Sequence, residues 1–230
     1  MMGSTSALET LLFNHSSKLS LYMPIRQVDQ VLIDVLNKVR ACRFDEDNIR
    51  FINERAVHKS DISPSCLRLY ATRKNVNKAN SKEIKRLSGN PISISAHDSI
   101  YNGSTRKATS RALKEKRLLK ELELKPDMPV MLIQNLRVSR GWVNGTLAKF
   151  HVDETLWIQR ISRSIPGTSY VRPQFPNIPA FATTINKEQI ITIDAVAIHL
   201  DGIPSHGQLY AAMSRVRRVG IYTFLAQICP

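Results

Sequence analysis

The residues best suited to chemistry lie near the end of the chain, where residues 205–218 read S-H-G-Q-L-Y-A-A-M-S-R-V-R-R. Leu209, Ala212, Met213 and Val216 recur at intervals of three and four, so one face of a helix can bury while the other stays polar. His206-Gly207 reads as the turn into that helix and Gly220 as its stop. Arg215 falls one helical turn past Ala211, beside the packed face. A guanidinium fixed in that way can grip a phosphate through two parallel hydrogen bonds. The same spacing also suits an ordinary amphipathic helix whose basic end complements the helix dipole, and periodicity alone does not separate the two.

Other chemistries find less support. Asp45-Glu46 could form an acidic metal pair, but no apolar strand precedes it; with Asp47 it suits a helix start, where carboxylates complement the dipole. His15, His58, His97, His151 and His199 show no metal-ligand spacing, and no G-x-S-x-G elbow occurs. Cys42, Cys66 and Cys229 lack the spacing of a zinc site or disulfide framework, as expected of inert thiols in a reducing compartment. Trp142 and Trp157 read as packing residues of a small β unit, with base stacking as the alternative.

These residues need a scaffold, and its elements are visible in outline. Val31, Leu32, Val35, Leu36 and Val39 predict a helix, and a second runs through residues 46–54. Residues 67–71 predict a strand, Thr72 a cap, and residues 74–87 a helix ended by Gly89-Asn90-Pro91. Strand, cap and helix in that order make half of a parallel α/β unit. Residues 92–124 are polar. Their basic tract contains Arg106, Lys107, Arg111, Lys114, Lys116, Arg117 and Lys120, and the interleaved Leu113, Leu118, Leu119 and Leu122 suggest a helix. That tract is either a solvated helix face or a phosphate-contacting stripe. Strands at 130–133, 147–152 and 156–161, separated by turns such as Asn144-Gly145, read as a small β-barrel. The apolar, β-branched run 190–198 predicts a buried parallel strand, and residues 221–226 the final one.

With 230 residues the chain has room for one large domain or two small ones. A net charge of +14 favours a polyanionic partner through phosphate neutralisation. No run approaches the ~18 apolar residues of a membrane span. The N-terminus lacks a basic head and carries Glu9 within its apolar patch, unlike a secretion signal, and Gly3 is one place too late for myristoylation. The expectation is a soluble protein, nuclear or otherwise intracellular, with no membrane partner.

The 205–218 stretch resembles the last motif of the PIF (petite integration frequency) DNA helicases, S-H-G-Q-L-Y-V-A-L-S-R-V, which Helitron-type transposon helicases share. Ser205 through Tyr210 and Ser214-Arg215-Val216 match it outright, and Ala211 and Met213 are apolar swaps. The resemblance extends along most of the chain in order. Ile25-Arg26-Gln27 with Asp29 is similar to F-R-Q-x-D. Residues 35–40 and 47–55 resemble the helices that follow it. Leu69, Thr72, Val76 and Asn80 resemble L-x-x-T-x-x-x-V-x-x-x-N. Residues 124–146 resemble the start of an inserted barrel, and Gln174-Phe175-Pro176 with 182–189 the penultimate motif. Glu188 and Ile190-Ile191 stand where that motif has Ser, Gly and Gln.

The resemblance implies an α/β fold: a RecA-like parallel sheet flanked by helices, interrupted by a small Src-homology-like β-barrel insertion. It implies a remnant of the first RecA-like domain or a linker at 1–22, the second RecA-like domain at 23–122 and 173–230, and the barrel at 123–172. Arg26 and Arg215 would be the catalytic guanidiniums at the ATP γ-phosphate, with Gln27, Lys187 and Gln189 also touching nucleotide. Thr72, Arg73, Thr184, Asn186, Lys187, His206 and Gln208 would face single-stranded DNA. ATP and Mg2+ are the family's cofactors. Yet no G-x-x-x-x-G-K-[ST] occurs in the 230 residues, nor any Gly-Lys pair. The expectation is that a separate P-loop domain holds the nucleotide and that the chain alone binds neither ATP nor Mg2+. A non-enzymatic nucleic-acid-binding module is the alternative.

Overall fold

The computed structural model describes residues 14–17, 19, 24–63, 66–100, 118–151, 158–164, 170–188, 193, 195–203, 206–217 and 222–224, with the side chains of Lys59, Ile100, Lys187, Glu188, His206 and Tyr222 left aside. Helix α1 (Gln30–Arg40) begins where the Asp29 carboxylate accepts from the amides of Val31 and Leu32, and it buries Leu32, Val35, Leu36 and Val39. Val31, expected on that face, is 59% exposed. Helix α2 (Glu46–Asn53) is capped by the Asp45 side chain, which accepts from Asn48 N, so the acidic cluster serves helix initiation.

A four-stranded parallel sheet lies at the centre, in the order β10 (Ala182–Thr184), β1 (Leu67–Tyr70), β11 (Val196–Ile198), β12 (Tyr222–Phe224). Helix α3 (Arg73–Arg86) follows β1, and α4 (His206–Met213) lies between β11 and β12. One face of the sheet, through Leu67, Leu69, Val196, Ile198 and Phe224, packs with the apolar sides of α1, α2 and α4. Burial of these side chains stabilises the layer by roughly 1.5–3 kcal/mol each. All four residues of β1 are buried, Arg68 included, because its guanidinium turns inward to Glu83 on α3.

Both sheet edges are closed. At β10, Asn80 of α3 donates through Nδ2 to Ala182 O (3.0 Å) and accepts from Ala182 N at Oδ1 (2.9 Å). At β12, Phe224 N donates to Arg55 O and Val57 N to Phe224 O. Unpaired edge groups would otherwise invite another strand.

The remaining strands form three short antiparallel sheets. They pair β2 (Ile92–Ser95) with β4 (Glu121–Leu124), β3 (Ser99–Ile100) with β8 (Tyr170–Gln174) and β7 (Ile161–Ser164), and β5 (Pro129–Leu132) with β6 (Leu147–Lys149) and β9 (Asn177–Pro179). Their core of Leu122, Leu124, Met128 and Val130 meets Ile84 of α3 and Phe181 just before β10, so the unit rests on the parallel layer. The expected α/β class, a parallel sheet flanked by helices, is the one adopted, and where a small β-barrel was expected the described residues form small antiparallel sheets.

Several expectations are corrected. The tract 92–124 contains β2, β3 and β4 in its described parts. Leu118 and Leu119 lie outside any helix, and Leu122 is on a strand whose E-L-E-L alternation buries every second residue. Residues 101–117, with most of the basic tract, lie outside the described residues. Residues 158–160 precede β7 rather than completing a strand. The run 190–198 is a strand only at Val196–Ile198 among its described residues, and 221, 225 and 226 lie outside the described ones. Helix α4 begins at His206 rather than after a turn there and ends at Met213, so Ser214 and Arg215 form its closing turn.

Candidate functional site

The sequence-predicted residues fall at two ends of the parallel sheet. At the amino end, Arg26 Nη1 donates to Ser214 O (3.0 Å), and Gln27 Nε2 donates to Ser214 O (2.9 Å) and Val216 O (3.2 Å). These bonds bring a segment ahead of α1 onto the residues flanking Arg215. The Arg215 side chain curls back, with Nε donating to Ala211 O (2.6 Å), and is 6% exposed. The expected one-turn offset from Ala211 thus places the guanidinium on one of the last carbonyls of the helix, where a cation complements the dipole. Ile193 N donates to Arg215 O (3.0 Å), which ties the corner to the entry of β11. The donor set is cationic and amide, suited to phosphate oxygens. Among the described residues no group of three or more His, Cys, Asp and Glu is placed to hold a metal ion.

The carboxyl end of the sheet carries most of the other candidates. Tyr70, the last residue of β1, is in register with Thr184, the last of β10, so Thr72 and Arg73 leave one strand and Asn186 the other at the same end of the sheet. Ligands of open α/β sheets settle outside such strand ends. Thr72 caps α3, its Oγ1 accepting from Asn75 N (3.3 Å), and Arg73 and Asn186 are exposed. Lys187 lies in the 3-10 turn Ile185–Glu188 that ends this edge. His206 opens α4, and Gln208, two residues on in its first turn, has its Oε1 buried without a partner among the described residues. Gln189 lies outside the described residues.

Residues that sequence reasoning did not single out as site groups shape this end. Tyr70 stacks on His199 (ring centroids 3.9 Å apart), closing the gap between the ends of β1 and β11. Burial pushes the Tyr70 phenol above its ordinary range. Below them, Arg68 Nη1 meets Glu83 at 2.8 Å. Burial alone would raise the Glu83 carboxyl, but the hydrogen bond and charge of Arg68 prevail and hold it low. Asn80 fixes β10, and with it Thr184, through its pair of hydrogen bonds to the Ala182 backbone. Gln174 of the penultimate-motif resemblance is fully buried, donating to Ile94 O and Leu119 O and accepting from Phe175 N, so its work is to join strands.

Comparison with known proteins follows the same geometry. A family model described as DNA helicase Pif1, 2B domain, matches residues 117–150. The ATP-dependent DNA helicase PIF1 of Rattus norvegicus is 32% identical over 212 residues, 84% of this chain and 32% of its own length. The ATP-dependent DNA helicase Pif1 of Bdellovibrio bacteriovorus is 29% identical over 229 residues, 92% of this chain and 49% of its own. The crystal structure of Pif1 helicase from Candida albicans superposes with a TM-score of 0.79 at 21% identity, covering 95% of this chain and 59% of that one. Bacteroides Pif1 bound to ssDNA superposes at 0.63 and 21% identity, over 89% and 51%. The chain therefore spans between about a third and a half of the length of these curated relatives.

Proposed function

The chain belongs to the Pif1 family of DNA helicases, and we propose that it forms the half of such an enzyme that completes an ATP site and grips single-stranded DNA. In this reading residues 23–122 and 173–230 are the second RecA-like domain, 123–172 its insertion, and 1–22 a remnant of the first domain or a linker. The pairing of β2 with β4 draws residues 92–95 towards the insertion. Arg26 and Arg215 reach the γ-phosphate of ATP held by a P-loop domain, on the same polypeptide or a separate one, with Gln27, Lys187 and Gln189 nearby. Bound ATP and Mg2+ supply the phosphoryl transfer. The chain's own contribution is preorganised positive charge at the transferring oxygens, an effect of the kind worth ~10³–10⁵ in rate. On its own the chain does not hydrolyse ATP.

The observation that carries this reading is the meeting of Arg26 and Gln27 with the carbonyls around Arg215, across 188 residues of sequence. Beside them Ile25 is 96% exposed, Val28 70% and Val31 59%, an apolar surface that the P-loop domain would cover. Single-stranded DNA follows the opposite end, past Thr72, Arg73, Thr184, Asn186, Lys187, His206 and Gln208. Closure of the P-loop domain on the arginine corner moves that ledge along the strand. The net charge of +14 also favours a second reading, a non-enzymatic nucleic-acid-binding module.

Titration of labelled oligo(dT) against the 230-residue chain at several salt concentrations tests the DNA half. Binding should weaken with salt by about 0.7 log unit per log unit for each phosphate contacted. The absence of salt-sensitive binding overturns it. The two readings part on a P-loop domain supplied in trans: Arg215→Ala abolishes the resulting ATPase if the chain is half a helicase, whereas Lys116→Ala alone matters, through DNA affinity, if it is a binding module.

A further inference from the structure

The connection between β5 and β6 is built more firmly than a surface loop requires. Leu136 N and Arg137 N both donate to Trp142 O, and Trp142 N donates back to Arg137 O (3.0 Å). Arg140 N and Gly141 N close the 3-10 turn Val138–Arg140 on Arg137 O and Val138 O. Thr146 Oγ1 braces it from below, donating to Gly141 O (2.9 Å) and accepting from Val143 N (3.1 Å), while Asn135 Oδ1 accepts from Asn144 N (2.7 Å). Gly141 takes a φ of 73°, a conformation that side chains rarely adopt, and a Cβ there would meet nothing within 4 Å, so the turn faces open space.

What this rigid tip displays is unusual for solvent. Val138 is 67% exposed, Arg137 and Arg140 are exposed, and Trp142 is half-buried with the Arg137 guanidinium 5.7 Å from its ring centroid. Among the described residues two other guanidiniums lie over aromatic rings, Arg55 over Phe51 and Arg160 over Phe175, and each is also anchored to a carbonyl, Phe51 O and Ser95 O. Arg137 has no such anchor among the described residues. At the foot of the tip, Arg163 of β7 reaches Gln134 Oε1 (3.1 Å), which adds a third positive charge. A packing role for Trp142 would not call for two exposed arginines and an exposed valine around it.

We propose that residues 137–142 form a nucleobase-binding prong for single-stranded nucleic acid, in which a base stacks against the Trp142–Arg137 pair and Arg140 takes the adjoining phosphate. Every base offers a π face and every linkage a phosphate, so an aromatic ring beside free guanidiniums on a rigid mount is a sequence-tolerant strand binder. The prong lies within the residues that match the 2B domain, on the β5–β6 connection of an antiparallel sheet rather than on the parallel sheet that carries the ledge. It rests on the reading of the chain as a single-strand binder and adds a second point of grip to it.

The test uses the full 230-residue chain carrying Trp157→Phe, which leaves Trp142 as its sole tryptophan. Titration with oligo(dT) should quench Trp142 emission in step with binding followed by anisotropy. Trp142→Leu should weaken binding about tenfold and Trp142→Phe less than threefold, since phenylalanine keeps a stacking face. Arg140→Ala should lower the salt slope by about 0.7. Salt-sensitive binding with unquenched Trp142 and unchanged affinity in Trp142→Leu overturns the prong and leaves the broader reading intact. No binding at all overturns both. If Trp142→Leu melts at a much lower temperature, the quench and the Trp142→Phe variant decide alone.

Discussion

The two ends of the parallel sheet use polar side chains in opposite ways. At the amino end Arg26, Gln27 and Arg215 spend hydrogen bonds on carbonyls of residues 211–216, giving a corner assembled before any ligand arrives. At the carboxyl end Thr72 serves the backbone, but Arg73 and Asn186 stand in solvent beside a closed Tyr70–His199 stack. The first end is a rigid seat that needs something brought to it, and the second is an open ledge that something can slide along. On the proposed reading, ordering cost is met in advance where charge would have to be placed finely, and left unmet where a strand would have to move.

Substitutions can break or sharpen that contrast. The largest stability effect should come from a region belonging to neither end, the β3–β8 junction, where Arg172 Nε and Nη2 and the Tyr170 hydroxyl all donate to the Asp98 carboxylate. Asp98→Ala strands a buried guanidinium and should cost about 3 kcal/mol in urea unfolding, with DNA affinity at the ledge unchanged. The Arg172 hydrogen bond holds the Asp98 carboxyl below its usual range. A carboxyl whose folded pKa is depressed contributes stability above its unfolded value, about 3.9, and loses it as pH falls through the folded one. Wild type should therefore lose stability more steeply than Asp98→Ala below about pH 4.

Gln27→Leu comes next. It leaves the Val216 carbonyl without its side-chain donor and the Ser214 carbonyl with that of Arg26 alone, and should cost about 2 kcal/mol. Oligo(dT) affinity should stay within twofold, because the ledge lies at the far end of the sheet. An equal loss of DNA affinity would mean that the two ends are one site. The smallest effects belong to the ledge itself. Thr72→Ala should cost about 1 kcal/mol through the lost cap. Arg73→Ala should leave stability within about 0.5 kcal/mol while lowering the salt slope of DNA binding by about 0.7. A stability loss at Arg73 as large as that at Gln27 would erase the distinction.

What could be read from sequence was set by the range of the interactions. Asp45 and Thr72 cap residues three positions ahead, and Leu209, Ala212 and Met213 share a face because of helical pitch, so each was legible locally; Val216, expected on the same face, is buried beyond the helix end. The E-L-E-L of β4 was obscured by the basic tract before it, whose leucines mimic helical spacing. Its partner β2 lies far back in the chain, and the hydrogen bond that Ser93 Oγ donates to Glu121 Oε1 spans 28 residues. Asn80 and Gln174 find their partners 102 and 80 residues off, and no local pattern announces a buried amide of that kind. Arg68 is buried in β1 because Glu83, fifteen positions further on, draws its guanidinium inward, and nothing in the local pattern announces that partner. The resemblance placed Arg26 near Arg215, but the carbonyls that hold both side chains became visible only in the fold.

The most direct measurement is the ATPase rate of the chain joined to a P-loop domain of a Pif1-family helicase, with and without Arg26→Ala and Arg215→Ala. Hydrolysis stimulated by single-stranded DNA, and lowered about a thousandfold by either substitution at unchanged DNA affinity, is the expected result. Hydrolysis that persists in both variants, or no hydrolysis in the unsubstituted assembly, would contradict the assignment of the amino-end corner.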